Sequence, residues 1–481
     1  MKPIFTLILS LLFGCACMAQ SKSNKATEGL KTETAIHIQS DYDVYKKIAL
    51  TIWDYAELGY KENKSSALLQ STLKENGFTV EAGIAGMPTA FVATYGSGAP
   101  VIAILAEYDA LPGISQDKSP TKTTIANKPN GHACGHHLFG TGSVATGIAL
   151  KKLLESGKIK GTLKVFGCPA EEGGSGKVYL VREGLFSNVD VVLHWHASDQ
   201  NLVSYTSALA NKSAKFRFYG VASHASMSPE KGRSALDGVE ALNNMANMMR
   251  EHIPQETRIH YVITSGGKAP NVVPEFAEVY YYVRHPDKTF AVSIFDRIKK
   301  AAEGAALGTE TKTDYEIIGG THDLLINKTL AIAMQANFEK VGGVAYTTDE
   351  MNFARELQKS FLGTVPPIAN AGVVTPLHTD NAQGSTDVGD VSYVVPTVGV
   401  ETATWVPGTS AHSWQAVACG ATDIGIKGMM VASKTMAFTA IDLFSSPELI
   451  RKAKEEFKQS IGSYQYKALL GDRKPALNYR D

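Results

Sequence analysis

Apolar residues recur along the chain at two periods, and the changes between them mark out its elements. Val44, Ile48, Ile52 and Tyr55 stand at helical spacing and predict a helix over 43–55. The pattern returns over 65–76, with Gly77 placed to cap it. Residues 91–95 and 101–105 instead read as strands, separated by the turn-forming Gly96-Ser97-Gly98. Further strands are predicted over 162–167 and 189–197. In the last, VDVVLHWHA, alternation puts His194 and His196 on one face and Trp195 on the other. Helical stretches between the strands, 141–154 above all, predict an α/β sheet. Open sheets of this kind carry their sites at the carboxyl ends of the strands. Here Glu107 and Asp109 follow one strand end, and Glu171 and Glu172 follow another.

The pattern changes near 211. A strand over 213–221, a helix over 232–250, strands over 258–264 and 276–284, a helix over 291–304 and a strand over 313–319 follow in turn. That is the split βαβ, ferredoxin-like order, and it predicts a separate α+β domain inserted into the first. The expected plan is a main domain over 41–210 and 325–465, an insertion over 211–324, and a polar tail over 466–481. A length of 481 residues agrees with two cores.

The first residues read as a targeting segment. Lys2 precedes an apolar run over 4–13 and small residues up to Ala19, the pattern of a secretory signal. A second reading is a lipoprotein box, Leu12-Phe13-Gly14-Cys15, ending the signal at about 14 and anchoring the chain by lipid on Cys15. Either way the protein is expected to be exported, periplasmic or membrane-anchored, and the run is too short to span a bilayer. Residues 20–40, rich in Lys, Ser and Thr, are expected to form a flexible spacer. Charge is balanced, 47 basic against 47 acidic side chains, with no dense basic stripe. This argues against nucleic acid as a main partner. Past the leader only Cys134, Cys168 and Cys419 remain, too few and too odd for a disulfide framework.

The candidate chemistry centres on residues 131–140, GHACGHHLFG, with three imidazoles and a thiol within six positions. Cys134 and His136 are one residue apart, so an extended or loop backbone points both the same way. A thiolate beside an imidazole suits zinc and related divalent ions. A buried free cysteine in a histidine-rich turn accounts for the stretch, taken alone, equally well. Glu171 and Glu172 offer one carboxylate to bind a metal and one to move a proton. Two solvated acids at a helix start are the plainer reading. Gly140, Gly142 and Gly147 fit neither nucleotide fingerprint.

Taken together, the stretches AEYDALPG (106–113), GHACGHHLFG (131–140), PAEEGG (169–174), VLHWHA (192–197), GVASHAS (220–226), GRSALDG (232–238), NVVPE (271–275), GSTDVGDVS (384–392) and GTSAHSWQ (408–415) resemble a known family. It is that of the dinuclear metallo-amidohydrolases, which includes aminoacylase, glutamate carboxypeptidase and the auxin-conjugate hydrolases. The resemblance implies a zinc-peptidase-like catalytic domain, with a central mixed sheet flanked by helices, and an inserted dimerisation or lid domain. It also implies two divalent ions, manganese or zinc, held by Cys134, His136, Glu172, His196 and His412. Glu171 would be the general base, and Asp109 and His194 would orient ligands from behind. His224 would reach across a homodimer into the partner's site, and Asn271 and Arg284 would meet substrate. The expected substrates are small N-acyl or N-aroyl amino acids, p-aminobenzoyl-glutamate-like conjugates first, with a dipeptidase activity as the alternative. The chain departs from relatives at Glu107, where others carry a His ligand or Asp, and at His137, where many carry Asp. Two readings of another class compete. An exported two-lobed solute-binding protein has no need of Glu171 beside a full ligand set. A zinc nucleobase deaminase needs a paired Pro-Cys-x-x-Cys element that is absent.

Overall fold

The computed structural model describes residues 25–380 and 384–480, so the expected signal segment lies outside the described residues. Two sheets organise the chain. The larger is built from β1 (Thr79–Ala82), β2 (Phe91–Ser97), β3 (Val101–Glu107), β4 (Gly161–Cys168), β5 (Val191–Ser198), β6 (Leu202–Val203) and β11 (Thr397–Ala403), in the order β1-β2-β4-β3-β5-β11-β6. Its centre, β4-β3-β5-β11, is parallel and its flanks are antiparallel. β3 is buried from Ile102 onward, the continuous apolar run expected of a parallel strand covered on both faces. The helices His136–Glu155 and Asp423–Ser445 are buried along most of their length and pack against each other and this sheet.

The second sheet holds β7 (Ala210–Tyr219), β8 (Arg258–Ser265), β9 (Phe276–His285) and β10 (Lys312–Thr321) in the antiparallel order β10-β7-β9-β8. In β9, Ala277, Val279, Tyr281 and Val283 alternate inward and form one core with the helices Ala235–Met249 and Lys288–Gly308. The fold class is therefore the expected one, a mixed α/β sheet with a ferredoxin-like α+β unit inserted between β6 and β11. Strand ends differ from the sequence reading by one to three residues.

Two segments depart further. Residues 25–40, expected as a flexible spacer, are helical. Lys31, Thr34 and Ile38 follow helical spacing and form one buried stripe, with the Lys31 ammonium 2.7 Å from Asp442 and 2.8 Å from Asn337 Oδ1. The segment looks polar because so narrow a stripe touches the core. The tail, which carried no chemistry in the sequence, folds back over the main domain. Ala468 and Leu470 are buried, and the Arg182 guanidinium donates to the carbonyls of Gly471 and Arg473.

Candidate metal centre

The parallel strands deliver side chains to one edge. β3 ends at Glu107 and runs into Asp109, β4 leads through Pro169 and Ala170 to Glu171 and Glu172, and β5 presents His196. Cys134 precedes the helix that begins at His136, and Gly135 between them sits at φ 77°. The two ligand types are therefore brought together by a left-handed turn into a helix, not by extended alternation. A side chain at Gly135 would be strained twice, by that φ and by a Cβ 2.4 Å from the Cβ of Ala197. His412 joins from the loop before Trp414–Gly420, its amide donating to the carbonyl of Ala133 (2.9 Å).

Among the described residues, donor atoms gather in three overlapping groups, each within 4.8 Å: Cys134, His136 and His196; Cys134, Glu172 and His412; Glu107, His136 and Glu171. The first two share the thiol of Cys134 and contain all five expected ligands. Cys134 Sγ lies 3.5 Å from His196 Nε2, and Glu172 Oε1 lies 3.1 Å from His412 Nε2. Two of the three rings are oriented from behind. His136 Nδ1 donates to Asp109 Oδ1 (2.8 Å), leaving Nε2 to face the group, and Asp109 Oδ2 accepts the amide of Glu172 (2.9 Å). His196 Nδ1 donates to the carbonyl of Ala197 (2.7 Å). This arrangement fixes tautomers as metal sites require.

The donors fit cations and little else. Glu107 Oε2 and His136 Nε2 stand 3.0 Å apart and Glu172 Oε1 faces His412 Nε2, and none of these three buried atoms has a further hydrogen-bond partner among the described residues. Burial pushes the Cys134 thiol far up despite His136, and Glu172 and Glu171 push it further. A thiolate there needs positive charge beside it. Burial, then Glu107, Glu172 and Asp387, likewise hold the Glu171 carboxyl well above its ordinary range.

Other expected site residues behave differently. His194 does not orient a ligand. Its Nε2 is buried without a partner, and its ring packs over Gly399, where a Cβ would stand 2.2 Å from ring atoms. His137 faces away from the group, donating from Nε2 to the carbonyl of Gly420 (3.0 Å). His224 and Asn271 are adjacent on the inserted domain, where Ala225 N donates to Asn271 O (3.0 Å), and His224 is exposed. Neither lines the cavity over the metal group, whereas Arg284 does, with Asn211, Tyr282 and Thr321. Sequence reasoning noted Glu107 at a strand end and as a departure from relatives, not as a donor, and it enters a donor group. Three further residues were missed. Lys177, fully buried, joins Glu107 and Asp387 at 2.6 Å each. From the tail, Tyr479 Oη and Arg480 Nη2 donate to the carbonyl of Glu172 at 2.8 and 2.7 Å. An acid at a strand end was a visible signal for Glu107; nothing local marked the others.

The sequence model of peptidase family M20/M25/M40 matches residues 103–415, the span that holds every donor above. The chain belongs to that family. It is 40% identical over 456 residues to one of the two subunits of the p-aminobenzoyl-glutamate hydrolase of Escherichia coli K12, covering 89% of this chain and 95% of that protein. To the Xaa-Arg dipeptidase of mouse it is 30% identical, covering 91% and 94%. Among solved structures, a putative aminohydrolase from methicillin-resistant Staphylococcus aureus superposes with a TM-score of 0.67 at 18% identity, over 86% of this chain and all of that one. An aminobenzoyl-glutamate utilization protein from Klebsiella pneumoniae gives 0.59 at 17%, over 84% and 97%. At such identities these two speak for the fold alone. This M20-family chain is a metal-dependent amidohydrolase, and its Cys/His/Glu cluster is a candidate metal site.

Proposed function

We propose that the chain hydrolyses the amide bond of N-aroyl and N-acyl amino acids, p-aminobenzoyl-glutamate-like conjugates first, as an exported homodimer with two divalent ions per protomer. The observation that carries the chemistry is the pair of donor groups sharing Cys134, with Glu171 unclaimed beside them. Cys134, His136 and His196 would hold one ion and Cys134, Glu172 and His412 the other, manganese or zinc. Such ions would supply acidification of water, from a pKa of about 15.7 toward about 7, and polarisation of the scissile carbonyl. Glu171 takes the proton of the attacking water and delivers it to the leaving nitrogen. Arg284 on the cavity wall suits a substrate carboxylate.

A hydrolysis screen of aroyl-, acyl- and aminoacyl-conjugates with added manganese or zinc tests this reading. Turnover confined to dipeptides would replace it with the dipeptidase. Metal content offers a second check: Cys134→Ala is expected to fall from about two equivalents per chain to below one, because both donor groups lose their shared ligand. Retention of both ions would sink the shared-thiolate arrangement.

The homodimer is supported by β8, an edge strand carrying exposed Tyr261, Val262 and Ile263, with Asn247 of the helix Ala235–Met249 donating to Tyr261 Oη (3.2 Å). An apolar sheet edge invites pairing with a second copy. His224, exposed and outside its own chain's cluster, then reaches the partner's site. Val262→Lys is expected to give a monomer by light scattering, with activity lost alongside. A variant that stays dimeric would reject this interface. So would a second, different chain that co-purifies in equal amount and resembles the other component of the Escherichia coli hydrolase. Export rests on Lys2 and the apolar run that follows, and is checked by cell fractionation and the mass of the mature N-terminus.

A further inference from the structure

The tail places a second guanidinium over the metal group. Arg480 and Arg284 line one cavity of about 590 Å³ with Cys134, Glu171, Glu172 and His412. Arg284 comes from β9 of the inserted domain, Arg480 from the tail packed on the main domain, where Tyr479 lies edge-on against Tyr60 (centroids 5.7 Å). Arg480 Nη2 is spent on the carbonyl of Glu172, but its Nε is buried without a partner; the Nε of Arg284 is likewise unpartnered, and its Nη1 lies only within 3.5 Å of Ser385 Oγ. Neither has an ion-pair partner among the described residues. The carboxylates that line the same cavity are Glu171, Glu172 and Asp387, and guanidinium stays charged at any working pH. The cavity thus offers two fixed cationic forks beyond whatever the metals supply, one more than a simple amino acid carboxylate can use.

We propose that Arg480 determines specificity by binding a second carboxylate of the substrate, so that the chain selects N-acyl amino acids with an acidic side chain. This rests on the amidohydrolase reading above. Arg284 takes one carboxylate and Arg480 the other, so an N-acyl glutamate bridges the inserted domain and the tail while its amide lies over the metals. Glutamine and alanine conjugates leave one guanidinium without an anion.

The test measures kcat and KM for p-aminobenzoyl-glutamate, -glutamine and -alanine in wild type, Arg480→Ala, Arg480→Lys and Tyr479→Phe. Arg480→Ala is expected to raise KM for the glutamate conjugate about 10- to 100-fold, the loss of one charge-assisted pair, with kcat little changed. The other two conjugates lose only about what they lose in Tyr479→Phe, because each variant gives up one bond to the Glu172 carbonyl, and Arg480→Lys recovers part of the glutamate-specific loss. Tyr479→Phe removes the other bond to the Glu172 carbonyl and is expected to move all three substrates together. An equal loss on all three in Arg480→Ala would mean that Arg480 only props that carbonyl, and would overturn the proposal. Should wild type cleave none of the three, the substrate reading fails on its own. Binding of glutarate against butyrate to the metal-loaded protein then decides the role of Arg480: a glutarate preference abolished in Arg480→Ala supports it, and its absence overturns it.

Discussion

Glu171→Gln is expected to lower kcat for p-aminobenzoyl-glutamate by about 10²- to 10⁴-fold, the range a positioned general base contributes, with metal content unchanged. The amide keeps the size of the side chain but cannot take a proton. Its neighbour Glu172 cannot substitute, because its Oε1 faces His412 and its amide is tied to Asp109. Measuring kcat and bound metal on one sample separates three roles. Lost turnover with metal retained marks the base, lost metal marks a ligand, and full activity moves the base elsewhere. Glu107 is then the nearest alternative, sharing a donor group with His136 and Glu171. Substrate binding in the silent variant also addresses the solute-binding reading, under which wild type would bind without turnover.

Much of the scaffold could be read because its signal is local. The continuous apolar run at 101–105 announces a buried parallel strand, and alternation through 276–284 announces a sheet with one covered face. The site was legible where donors crowd in the chain, at Cys134-Gly135-His136 and Glu171-Glu172, although the backbone joining the first two is a turn into a helix. What stayed hidden depends on distant partners. His194 resembles His196 in its strand setting, yet Gly399 on the neighbouring β11 gives its ring a packing slot instead of a ligand to orient. Residues 25–40 have the composition of a linker and gain order from distant partners such as Asn337 and Asp442, 306 and 411 positions from Lys31. Arg480 sits in a polar stretch that nothing in its own neighbourhood links to Glu172. Lys177 looks like a surface lysine in GKVYLVR, but it is fully buried.

That buried lysine carries the second large effect. Lys177→Met is expected to destabilise the protein by about 3–5 kcal/mol, the cost of breaking a buried ion pair by removing one partner, read from urea unfolding of the metal-free chain. Lys177 Nζ stands 2.6 Å from both Glu107 Oε1 and Asp387 Oδ1, and its amide donates to Asp387 Oδ2 (2.8 Å). Methionine fills the stem's volume, leaves Asp387 facing no cation and leaves Glu107 with only His136 Nε2, 3.0 Å from its Oε2. Burial already pushes the Asp387 carboxyl up to about 6, against the pull of Lys177, which keeps it from going higher. Without the lysine it rises further. A carboxyl whose folded pKa is raised takes up protons on folding, so its contribution is lost as pH climbs through that value and restored as pH falls. The deficit of Lys177→Met against wild type should therefore shrink from pH 8 toward pH 5.5, and adding Asp387→Asn should recover part of it at pH 8. A deficit independent of pH and untouched by Asp387→Asn would show that packing around the lysine stem, not its charge, holds this layer beneath the metal group.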